Sequence, residues 1–204
     1  MPPDPKPSIA SDTLKMPSRP VDENDLPFAM PMRYAAPNLL ADVMLALAGP
    51  CFSGKASRAL FARSLLLEDD EFLPLGKTLH WLGFVELGEA NIRLTETGRK
   101  FVHASDRARQ NLFADAVLKY EGRVAAFYWG LLAHPEHRFP ASPFRDLLEE
   151  PLPADYAAET LRGAVNWGRY AGLFSFDEER QEFSLEGAAA AAEPEAVSAL
   201  PAQE

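Results

Sequence analysis

The segment Gly49-Pro50-Cys51-Phe52-Ser53-Gly54-Lys55-Ala56 comes nearest to a spacing that does chemistry. It almost matches the phosphate-binding pattern of glycine, four residues and Gly-Lys-Ser/Thr, in which backbone amides cradle phosphate oxygens and the last hydroxyl holds magnesium. Three features oppose a nucleotide site. Ala56 replaces the hydroxyl, Pro50 removes an amide from the cradle, and the residues before Gly49 follow a helical rather than a strand period. No apolar strand ends in an acid that would hold the metal from the other side. The segment reads as a helix-to-helix turn.

The other chemistry-bearing residues resolve the same way. His134 and His137 are three apart, but Pro135 breaks the helix that would align them and the single cysteine, Cys51, is distant, so no metal ligand set emerges. His80 and His103 stand alone in helical contexts. The run Glu68-Asp69-Asp70-Glu71 lies where a helix N-terminus favours negative charge, and Asp177-Glu178-Glu179 lies in a turn, so both read as solvated charge. No serine sits in a glycine-flanked elbow and no cysteine and histidine pair as nucleophile and base. The chain is expected to be non-catalytic, with no cofactor and no metal.

Positioning elements alternate between two periods. Residues 1–36 carry eight of the 18 prolines and neither period, and read as a disordered proline-rich arm. Leu39, Leu40, Val43, Met44 and Leu47 are spaced for a helix that Ala48-Gly49-Pro50 ends. Helices are predicted from about Lys55 to Leu67 and from Asp69 to Trp81. The period then becomes two in Phe84-Val85-Glu86-Leu87 and Ile92-Arg93-Leu94, a hairpin turning at Gly88-Glu89-Ala90-Asn91, with Thr95 as an N-cap for the helix beyond. Three helices and a hairpin are the plan of a winged helix.

That plan recurs. A connecting helix from about Asp106 to Tyr120 leads to a helix bearing Val124, Phe127, Tyr128, Leu131 and Leu132, then to helical segments near 143–150 and 154–171. Trp81-Leu82-Gly83-Phe84-Val85-Glu86-Leu87 finds its counterpart 89 residues on in Tyr170-Ala171-Gly172-Leu173-Phe174-Ser175-Phe176. Ile92-Arg93-Leu94 matches Phe183-Ser184-Leu185 once the second turn is two residues longer. Gly83 and Gly172 are placed to take the positive φ that ends a helix and redirects the chain. The predicted fold class is mainly α with short β-hairpins (α+β). Its units are tandem winged helices at 37–104 and 122–186, joined by a connecting helix at 105–121 and followed by a disordered Ala/Glu/Pro tail at 187–204.

Composition bounds the function. The net charge is −10, and the folded region shares the acidity: residues 37–186 hold 16 Lys and Arg against 22 Asp and Glu, a net −6. A winged helix that reads DNA needs cations on its third helix and wing. Here the third helix begins with four acids, and the second wing sets Asp177, Glu178, Glu179 and Glu182 against Arg180. Binding of nucleic acid is not expected, and a transcription regulator is the alternative reading. The absence of a secretory apolar stretch at the N-terminus, together with one cysteine, fits a cytoplasmic protein, and no apolar run approaches the roughly 18 residues of a membrane span.

Asn166-Trp167-Gly168-Arg169-Tyr170-Ala171-Gly172-Leu173-Phe174-Ser175-Phe176-Asp177 and Ile92-Arg93-Leu94-Thr95-Glu96-Thr97-Gly98-Arg99-Lys100-Phe101 resemble the AAA-associated C-terminal domain. That domain lies behind the ATP-binding subunit of ABC transporters of the nitrate, sulfonate and taurine type. The resemblance covers about 37–186. It implies an accessory or regulatory module beside an ATPase, here behind a proline-rich arm rather than an ATPase domain, with an ABC transporter ATP-binding subunit as the expected protein partner. Trp167, Arg169 and Tyr170 are the candidate contacts. At 100° per residue they cannot all enter one small core, so at least one points outward. Either Trp167 and Tyr170 anchor the core while Arg169 braces a carboxylate, or one aromatic and Arg169 anchor an interface.

Overall fold

The computed structural model describes residues 36–120, 122–149 and 153–185. Helix α1 (Pro37–Ala48) buries Leu40, Val43, Met44 and Leu47, the face its spacing defines. Strand β1 (Lys55–Ser57) follows, then α2 (Arg58–Ser64), α3 (Asp69–Trp81), and the hairpin β2 (Val85–Leu87) and β3 (Asn91–Leu94). Helices α4 (Glu96–His103) and α5 (Asp106–Tyr120) lead to α6 (Gly122–Ala133), β4 (Arg138–Pro140), α7 (Ser142–Glu149), α8 (Ala154–Ala171) and a closing hairpin, β5 (Ser175–Asp177) and β6 (Glu182–Ser184). The fold is thus mainly helical with two small antiparallel sheets, as the patterning predicts. The proline-rich arm and the Ala/Glu/Pro tail lie outside the described residues.

Each sheet has a third strand that the patterning does not show, and in the first sheet it takes the start of the helix expected from about Lys55 to Leu67. Lys55–Ser57 is extended and only Arg58–Ser64 is helical. The sheets have the same order, β1-β3-β2 and β4-β6-β5, with Ala56 opposite Ile92 and Phe139 opposite Phe183. The reason is tertiary. The outer edge of β3 offers unpaired amides and carbonyls, and pairing them outweighs the weak helical preference of three residues.

The backbone repeats in detail. Gly83 and Gly172 both adopt positive φ, 77° and 67°. Behind them Phe84 N donates to Leu79 O at 3.0 Å and Leu173 N to Gly168 O at 2.9 Å, the long bond that closes a helix through a left-handed residue. Leu94 N donates to Gly54 O and Leu185 N to His137 O, while Arg58 N donates to Ala90 O and Ala141 N to Gln181 O. Gly54 and His137, which direct the chain into β1 and β4, also share positive φ.

One apolar cluster runs through both halves. Its bridge is α5: Phe113 stacks on Phe84 of the first half at 6.3 Å and meets Trp167 of α8 edge-on at 5.6 Å. In the second half Phe127, Phe144 and Phe183 form an aromatic nest with ring centroids 4.1 to 5.7 Å apart.

Candidate protein-interaction surface

Helix α8 carries all three candidate contact residues. It buries Ala157, Leu161, Ala164, Val165 and Gly168 at helical spacing. Gly168 is required: an added Cβ would overlap the Phe174 ring. The helix ends where Gly172 turns left-handed, and Gln110 Nε2 of α5 donates to the carbonyl of Tyr170 at 3.1 Å, tying the α8 terminus to α5.

The three side chains separate as 100° steps require. Trp167 is 2% exposed and packs on Phe113, so it offers no surface to a partner; α5 covers the side from which one would approach. Tyr170 is half-buried, edge-on to the same Phe113 at 4.8 Å. Burial raises its phenol pKa; Arg109 opposes this and Asp106 and Asp42 add to it. Arg169 alone points out, about half exposed, with Nη1 3.6 Å from Glu178 Oε1 in the β5–β6 turn. Geometry therefore puts Arg169, the rim of Tyr170 and the second hairpin on one accessible surface, with Trp167 behind it as support.

That hairpin is built for exposed negative charge. Asp177 accepts the amides of Glu179 and Arg180, both at 2.9 Å, and these bonds, Arg180 first, hold its carboxyl below the usual range. The residues singled out for other chemistry are locally engaged. The Gly49–Gly54 segment is a helix-to-strand turn rather than the expected helix-to-helix one. Its Phe52, Ser53, Gly54 and Lys55 amides donate to Gly49, Gly49, Leu47 and Phe52 carbonyls, so none faces a phosphate. His137 Nδ1 bonds Leu131 O at 3.1 Å, and His134 Nδ1 accepts from Glu136 N at 3.4 Å. Asp69 is gripped by Arg58 Nε and Nη2 at 2.8 and 2.6 Å. Among the described residues no group of three or more His, Cys, Asp or Glu could hold a metal ion, and no helix is long and apolar enough to cross a membrane.

Sequence reasoning passed over two tethers. Arg109 donates to Phe101 O and Val102 O at the end of α4, as Gln110 does to α8. Their only signal is a pair of long polar residues inside the periodic stretch of α5. It also passed over Trp129, 57% exposed on α6.

A family model, the C-terminal AAA-associated domain, matches residues 60–177, more than half of the chain. The chain belongs to this family. The AAA-associated match starts inside α2 and ends with β5, so it spans α5 and reaches into both sheets. No curated protein and no solved structure matches the chain. The AAA-associated domain thus includes Arg169 and Tyr170, and the core that fixes their directions.

Proposed function

We propose that the chain is a non-catalytic accessory or regulatory module that binds an ATPase, specifically the ATP-binding subunit of a nitrate/sulfonate/taurine-type ABC transporter, at the cytoplasmic face of the membrane. In this reading the two repeated halves are tandem winged-helix units whose shared core orients one docking surface. The observation that carries it is the family match over 60–177, which takes in the bridge between the halves rather than one half alone. Arg169, exposed near the end of α8 and backed by buried Trp167, is of a residue type enriched at interfaces. The acidic hairpin opposes duplex DNA as the partner, since phosphate contacts require cations.

The test is titration of the full chain against the purified ATP-binding subunit by calorimetry. Wild type binds, and Arg169→Ala weakens binding about tenfold, roughly 1.4 kcal/mol, with Tm unchanged. Binding that is absent, or undiminished in Arg169→Ala, rejects the reading.

A further inference from the structure

Helix α6 departs from the pattern of a surface helix. Val124, Phe127 and Leu131 are its buried side, and the opposite side of such a helix normally carries charge. Here no charged residue stands anywhere between Val124 and Ala133. At 100° per residue Trp129, Leu132 and Ala133 fall on the side away from Phe127. Trp129 is 57% and Leu132 39% exposed, and Ala133 is exposed beside them. The Tyr128 and Trp129 rings adjoin, with centroids 5.1 Å apart, so this face presents two aromatic rings and a leucine without a charge among them. On α1, by contrast, the exposed Leu39 and Leu45 have exposed Asp42 between them.

The same chain carries a segment of matching chemistry. The proline-rich arm is not uniform: residues 1–25 hold eight charged residues, whereas Leu26-Pro27-Phe28-Ala29-Met30-Pro31-Met32-Arg33-Tyr34 holds one. These nine residues lie outside the described residues, which begin at Ala36. Their composition is not the polar one that keeps a chain in solvent. Proline-containing segments suit aromatic-lined surfaces, because proline restricts the chain before it docks and its ring lies flat on an aromatic face, and methionine sulfur packs well at ring edges.

We infer that residues 26–34 dock on the Tyr128–Trp129–Leu132 face of α6 in the same chain. The connection is long enough. Leu26 stands ten residues before Ala36, a reach of roughly 33 Å when extended, about the width of a folded unit of this size. Tethering supplies an effective concentration in the millimolar range, so a contact too weak to join separate molecules still forms. A second copy is the less favoured occupant, since chains with a net charge of −10 repel one another. The inference stands apart from the ATPase reading and uses none of the residues assigned to it.

The experiment labels the full chain with fluorotryptophan, which gives one fluorine resonance each for Trp81, Trp129 and Trp167, with Trp129→Phe identifying its own. A soluble nitroxide then reports solvent access at each ring. In wild type the Trp129 signal should be broadened about half as much as in Phe28→Ser/Met30→Ser, whose substitutions remove the docking side chains. The signal of buried Trp167 should be the same in both, which shows that the core is intact in the variant. Protection of Trp129 should also be independent of protein concentration over about a hundredfold dilution, as a tethered contact requires. Equal broadening of Trp129 in wild type and variant overturns the inference, because the segment then does not cover the face. Protection that is lost on dilution also overturns it and assigns the face to a second copy.

Discussion

Asp69 shows how a single carboxylate is committed by its neighbour. The paired guanidinium bonds from Arg58 across to the first turn of α3 lower its pKa, chiefly through the side-chain hydrogen bond. A carboxyl depressed by folding contributes stability above its unfolded value, about pH 4, and loses that contribution as pH falls through the lower folded value. Asp69→Asn should therefore lower Tm slightly at pH 7, and the gap to wild type should close below about pH 4. Thermal melts between pH 2 and 7 decide it; a gap constant across that range would show that the ion pair is not the source. At the same scale, the amides of the glycine-lysine segment close their own turn.

At the scale of elements, the junction of hairpin and α4 rests on one hydroxyl. Thr95 Oγ1 accepts from Gly98 N at 3.0 Å and faces the carbonyls of Gly83 and Phe84 at 2.7 and 3.0 Å. It caps α4 and clamps it to the point where the chain leaves α3. Gly98 completes the fit, since a Cβ there would overlap the Phe84 carbonyl oxygen. Thr95→Ala should cost about 1–2 kcal/mol in urea denaturation, and Thr95→Ser should restore most of it. Equal losses in both variants would assign the role to the methyl group instead.

Across the whole molecule, the halves are coupled through Phe113. Its ring touches Phe84, Trp167 and Tyr170, so the hairpin of one half and the last helix of the other close on the same side chain. Phe113→Ala should destabilise by about 3–5 kcal/mol. Amides of β3 and β6 should lose hydrogen-exchange protection together in this variant. Unfolding of one sheet with the other still protected would mean that the halves are independent and that α5 is a linker only.

Much of this was legible in the chain itself. Period-two runs on either side of a turn specified both hairpins, helical spacing specified α1, α3, α5 and α8, and the glycine at each helix end specified the left-handed exits at 83 and 172. These are local choices, decided by patterning and by the conformations glycine alone adopts cheaply. The third strands were not legible. Lys55–Ser57 and Arg138–Pro140 are three residues each, too short for a period, and are extended only because β3 and β6, brought back from over thirty residues later, present open edges. The direction of Trp167 was equally beyond local reading. Helical spacing shows that Trp167, Arg169 and Tyr170 diverge, but which of them is buried depends on α5, folded across from fifty residues earlier, whose Phe113 occupies the space beside the indole.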